Sequence, residues 1–188
     1  MTNTTLLPVE DLSDILPVYR GTPIGDLLAY HNLDAPHAKY TTAPLLVGMC
    51  IDHRKRLRIP QNFAYVMRAA GARFEGLEFQ ISFAIGVGGV RAVAVIGHDQ
   101  CGMVGLAARR SEMTAGLVKR AGWRQEQAES HFDENAPQFE IPDAEQTVRV
   151  QAESLSRQYP KVIVAPLMYR LESGMLYQLR DDADDGHR

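Results

Sequence analysis

Five side chains in two short stretches carry the chemistry of this chain. Cys50, Asp52 and Arg54 close the stretch PLLVGMCIDHR, and His98 and Cys101 close VRAVAVIGHDQCG. Two thiols and one imidazole make a mixed sulfur and nitrogen donor set, which suits Zn²⁺. Three protein ligands leave a fourth tetrahedral position for water or substrate, as in catalytic zinc sites. The two-residue gap in HDQC lets both side chains leave one turn toward a single ion. A closed structural site would need a fourth Cys or His. The remaining histidines, His31, His37, His53, His131 and His187, show no ligand spacing. The fourth position is therefore expected to be open, or filled by Asp52.

Two strands must position these groups. Residues 45–49 and 92–96 are continuous apolar runs of a length that needs cover on both faces, so they read as buried strands of a parallel sheet. In an open α/β sheet, ligands sit in the crevice beyond the carboxyl ends of the strands, where Cys50 and His98 begin their polar segments. Asp52 and Arg54, two apart on an extended segment, are expected on one side of it. The planar guanidinium can then hold the Asp52 carboxylate and keep it ionised, while Asp52 accepts a hydrogen bond from a metal-bound hydroxide. The same alternation turns His53 away, which makes it a solvated or interface histidine. The alternative is a proton relay, since imidazole titrates at about pH 6.5. A helix opening at Gly102 would turn its free N–H groups toward an anion on the metal, making Gly102 a candidate substrate-binding residue.

The rest reads as one α/β domain with a mostly parallel central sheet flanked by helices. Residues 64–68 form a further strand, and Leu77, Ile81 and Ile85 the buried stripe of a helix that crosses to the strand at 92–96. A helix is expected from Gly102 to about Arg109, with helix and loop over 110–140. Asp143, with Gln146 three residues on, caps the last long helix, whose stripe is Val148, Ala152 and Leu155. A strand at 161–166, a turn at 172–174 and a short strand to Leu179 follow. Thr22-Pro23 opens a short N-terminal helix. Residues 1–40 read as an arm packed on this or a neighbouring subunit, with an encapsulation or targeting peptide as the alternative. Residues 41–180 form the zinc domain, and 181–188 a flexible acidic tail. In HRKRLR, Lys55, Arg56 and Arg58 are expected to form a solvated face.

The 188 residues, 45% hydrophobic and 23% charged with net charge −3, are ordinary for a soluble globular domain. There is no global basicity to bind nucleic acid, and no apolar run of about 18 residues to span a membrane. A basic N-terminal region followed by an apolar one is missing, so no secretory signal is expected. Both cysteines belong to the proposed site, which fits a reducing cytoplasm; an address inside a bacterial microcompartment is the minor alternative.

The pattern C-x-D-x-R followed by H-x-x-C resembles the β-class carbonic anhydrases. The likeness extends to FAYVMRAAG at 63–71, to 77–90 before the second ligand strand, and to 162–179. It implies reversible hydration of CO₂ to bicarbonate by hydroxide on zinc, with Cys50, His98 and Cys101 as ligands and Asp52 and Arg54 as the catalytic pair. It also implies a CO₂ pocket where two subunits meet, hence a homodimer or larger homo-oligomer. Leu6, Leu7, Ile15 and Leu16 are the apolar residues expected to face a partner. In the resembling family Asp can itself take the fourth zinc position, with Arg competing for it. A basic rim at 53–58 would attract bicarbonate. Three positions depart from the pattern: His53 stands where serine is usual, Thr41 where some members carry glutamine, and Ala69 where asparagine follows the strand. The alternatives are a non-catalytic zinc or assembly protein on the same scaffold, and a hydrolase of CS₂ or COS.

Overall fold

The computed structural model describes residues 4–181; of the tail expected at 181–188, Asp181 ends the last strand of the sheet and the rest lies outside the described residues. Six strands form one sheet: β1 (Thr4–Leu7), β2 (Leu45–Met49), β3 (Ala64–Arg68), β4 (Ala92–His98), β5 (Ile163–Tyr169) and β6 (Leu176–Asp181). Their spatial order is β1-β6-β5-β4-β2-β3. The four from β3 to β5 are parallel, and β6 and β1 add antiparallel at one edge. This is the mostly parallel sheet that the apolar runs imply.

β2 and β4 are buried along their whole length, and alternate residues feed two cores. Leu45, Val47, Met49, Ala92, Ala94 and Ile96 pack with Ile24, Leu27 and Leu28 of α1 (Pro23–Leu33). Leu46, Val93 and Val95 face the opposite way, onto Ile81 of α2 (Glu78–Gly86) and onto Val148, Ala152 and Leu155 of α5 (Ala144–Gln158). The helix starts are those the sequence marks. Thr22 Oγ1 accepts from the amides of Ile24 and Gly25, and Asp143 Oδ1 from that of Gln146 at 2.8 Å. Two further helices, α3 (Arg110–Ala121) and α4 (Gln125–Phe139), pack on each other.

The strand order locates the functional end of the sheet. The chain leaves β2 outward to β3, then returns through α2 to β4 on the other side of β2. Strand order therefore reverses between β2 and β4, and such a reversal opens a crevice at the carboxyl ends of the two strands.

Two expectations change. No helix starts at Gly102, which lies in a turn; the first helical residues are the 3-10 segment Leu106–Arg109, leading into α3. The N-terminal arm is also tied into its own chain. β1 covers the edge of β6. Buried Gln178 accepts from Leu16 N at 2.9 Å and donates to Asp14 O at 3.0 Å. Asn32 donates to the carbonyls of Val9 and Leu176. Ile15 is buried in this core, with Leu16 packed against it and Leu6 against the opposite one. These residues are spent on the chain itself and give no argument for a partner.

Gly48 shows how closely the second core meets the ligand strand. A Cβ there would lie 2.3 Å from the Phe74 ring, which is itself buried. Gly48→Ala is expected to destabilise the protein by about 1–3 kcal/mol through overpacking. Thermal melts beside the wild type measure this, and an unchanged midpoint would contradict it.

Candidate metal centre

β2 pairs with β4 in parallel register, with Met49 opposite Ile96. The next residues to leave the sheet are Cys50, from the end of β2, and His98, the last residue of β4. Cys101 returns through a tight turn in which Gln100 adopts a left-handed backbone, φ 52°. Cys50, His98 and Cys101 are all buried, and their donor atoms lie within 4.8 Å of one another. The two sulfurs are 3.9 Å apart. A tetrahedral ion with Zn–S bonds of about 2.3 Å would separate its sulfurs by about 3.8 Å, so the spacing suits zinc.

The imidazole is aimed for the same purpose. His98 Nδ1 donates to the Asp99 carbonyl at 2.7 Å, which fixes the tautomer and leaves Nε2 bare. Nε2 is buried without a hydrogen-bond partner among the described residues, a costly state unless a metal uses its lone pair. The thiols behave as one unit. The Cys101 thiol holds Cys50 far below the usual thiol range, while Cys50 and burial push Cys101 up. A bound cation would displace the proton that Cys101 retains and leave two thiolates.

Asp52 and Arg54 meet as expected, but by another route. The segment turns rather than extending: Asp52 Oδ1 accepts the Arg54 amide at 2.9 Å, an Asx turn. The guanidinium then grips both carboxylate oxygens, Nη2 to Oδ2 at 2.7 Å and Nε to Oδ1 at 3.1 Å. This bidentate hold keeps the Asp52 carboxyl well below the usual carboxylate range. Asp52 Oδ2 lies 3.9 Å from His98 Nε2, at the mouth of the donor set. Gln100 holds the other side of Arg54, its backbone carbonyl accepting from Nη2 at 3.0 Å and Oε1 from Nη1 at 3.4 Å. Sequence reasoning missed Gln100, and only its place inside H-x-x-C could have pointed to it.

His53 is exposed in the turn. Gly102 follows Cys101, and a Cβ there would meet nothing within 4 Å. The basic run is not uniformly solvated: Lys55 is 3% exposed. His31, buried, donates from Nε2 to the Gly174 carbonyl and accepts the Arg58 amide at Nδ1. It thereby secures the segment after Arg54 as a neutral structural histidine, and burial lowers its pKa accordingly. A cavity of about 650 Å³ opens beside His98 and Cys101, with Arg109 and Arg170 on its wall.

Known proteins give the same reading. The family model described as Carbonic anhydrase matches residues 50–179. No curated protein matches the chain by sequence. Among solved structures, the carbonic anhydrase from Glaciozyma antarctica is 23% identical, with 73% of this chain and 83% of that one covered at a TM-score of 0.56. The β-carbonic anhydrase isoform I from Trichomonas vaginalis is 16% identical, covering 76% and 86% at 0.58. A carbon disulfide hydrolase is 19% identical, covering 72% and 77% at 0.51. At such identities the likeness is one of fold. The family match takes in more than half of the chain and every one of the five residues that meet at the carboxyl ends of β2 and β4; the chain belongs to the β-carbonic anhydrase family.

Proposed function

We propose that this chain is a zinc enzyme that interconverts CO₂ and bicarbonate. The observation that carries the reading is the Arg54 fork on both oxygens of Asp52, beside three converging donors. Cys50, His98 and Cys101 would hold the ion, and zinc so held supplies a Lewis acid that makes water nucleophilic near neutral pH. The protein's own groups do the rest. Arg54 keeps Asp52 ionised and occupied, so that the ion's remaining position would be left to water. Asp52 is then an acceptor only. It orients the O–H of the reacting water, and so aims a lone pair at the CO₂ carbon. With its basicity suppressed by Arg54, Asp52 does not keep the proton, which leaves to solvent past the exposed His53 or directly to buffer. Gly102, beside Cys101, leaves room for the anionic product. A reducing cytoplasm suits a site that needs both thiols free.

Asp52→Asn preserves size but weakens both the acceptor and the ion pair with Arg54. We expect full zinc content and CO₂ hydration reduced by roughly 10²-fold or more, as when a group acting in the transition state is lost. Stopped-flow hydration with a pH series measures it, run beside a CS₂ hydrolysis assay. Rates within about twofold of wild type at equal metal content would make the pair merely structural. Cys101→Ala, by contrast, is expected to lose stoichiometric zinc on dialysis against a chelator. Retention of one zinc per chain would remove Cys101 from the ligand set.

We also propose a homodimer, supported by an apolar face. Phe79 and Phe83 on α2 and Val87 at its C-cap, each four residues apart, are 81%, 53% and 72% exposed. Tyr65 of the edge strand β3, on the α2 side of the sheet, is 41% exposed and lies against the Gly88 backbone, which joins the two elements into one surface. Apolar area of this kind marks an interface. Sedimentation should give twice the chain mass of 20.9 kDa, and Phe83→Glu should shift it toward monomer. A wild-type monomer at micromolar concentration would contradict the proposal.

A further inference from the structure

Of the basic residues from Arg54 to Arg58, Lys55 alone is buried, at 3% exposure. Its ammonium donates to the Asp52 carbonyl at 3.2 Å. Arg68, at the end of β3, donates to that same carbonyl and to the carbonyl of Cys50, each at 3.2 Å. Two cations therefore grip the short backbone segment that presents both a ligand and the catalytic carboxylate. Among the described residues Lys55 has no carboxylate within ion-pair distance, since Asp52 spends both oxygens on Arg54. A buried ammonium without a counter-ion is strongly unfavourable. Burial lowers the pKa of Lys55, while the charges of Cys50, Asp52 and Cys101 favour its protonated form and Arg68 opposes it.

The balance of charge gives the consequence. Zinc with two thiolates and a neutral histidine is neutral as a set. Asp52 with Arg54 is neutral as well. Lys55 and Arg68 then remain as two positive charges on this segment, Lys55 being the buried one, and an anion arriving beside the ion would offset them.

We propose that Lys55 is a positioning residue that fixes the Asp52 carbonyl from inside and adds a buried positive charge beside the zinc–thiolate centre, so that an anion is drawn into its open position. The inference rests on the zinc set proposed above, yet its test requires no CO₂ turnover. The protein is loaded with Co²⁺ as a coloured stand-in for zinc and titrated with azide, following the visible bands. Lys55→Met should still bind one cobalt but hold azide roughly tenfold more weakly, the effect of removing one unit charge at partly screened range. Lys55→Arg, which keeps the charge, should stay within about threefold of wild type by the same electrostatic reasoning. Equal azide affinity in wild type and Lys55→Met would overturn the proposal, as would equal weakening in Met and Arg variants.

Should Lys55→Met fail to fold, the zinc-loaded wild type decides. The chain has four lysines, Lys39, Lys55, Lys119 and Lys161. Their side-chain ammonium groups can be followed by NMR on ¹⁵N-lysine-labelled protein. Azide should shift the Lys55 signal and leave the other three in place, and an unmoved Lys55 signal would overturn the proposal. A wild type that binds azide in this way yet hydrates no CO₂ would instead remove the carbonic anhydrase reading and leave the role of Lys55 standing.

Discussion

The parallel pairing of β2 with β4 is the constraint on which everything else depends. The register Leu45 opposite Ala92 through Met49 opposite Ile96 fixes where Cys50 and His98 emerge. Side chains alternate along a strand, so a slip by one residue would turn His98 to the other face of the sheet and bury Val95 where Ile96 belongs. Both faces are packed: the α1 side takes Met49 and Ile96, and the α2 and α5 side takes Val93 and Val95. Slippage would therefore misplace two cores at once. The donor spacing needed by zinc is in this sense a product of hydrophobic packing.

The polar groups beyond the strand ends refine that placement. Each is held by a neighbour that the chain already brings near: His98 by the Asp99 carbonyl, Asp52 by the Arg54 amide and guanidinium, and Arg54 by Gln100. Asp99 in turn accepts the Leu171 amide through Oδ1 at 2.9 Å, which fastens the turn after β4 to the end of β5. The left-handed backbone at Gln100 is a strained conformation of the sort found at functional sites. It allows Cys101 to follow His98 within one turn while the Gln100 carbonyl faces Arg54.

What was legible in the sequence depended on local signals. Residues 45–49, apolar without a break, gave β2 to the residue, because a strand buried on both faces leaves no polar alternation to misread. The 92–96 run gave β4 short by two, since Gly97 and His98 continue the ladder without looking apolar. Thr22-Pro23 and Asp143 marked helix starts through their own capping chemistry. Long-range relations were not legible. Four residues, Thr4–Leu7, form β1 only because the β6 edge is there to receive them. Ile15 is buried because Gln178 and Asn32, far along the chain, anchor its segment. Lys55 looks like its basic neighbours in HRKRLR, and its burial follows from the turn made by Asp52 and Arg54. Strand alternation predicts an extended segment at Asp52–Arg54, and the Asx turn found there still brings the two side chains together.

The central claim is that the chain presents two thiolates and an imidazole to zinc while Arg54 keeps Asp52 off the metal, leaving the fourth position to water. A crystal structure of the zinc-loaded protein at neutral pH tests it most directly. Zinc should be bound by Cys50, His98 and Cys101 with a water oxygen completing the tetrahedron, and both Asp52 oxygens should remain on Arg54. An Asp52 oxygen bonded to zinc, with the Arg54 guanidinium released, would contradict it.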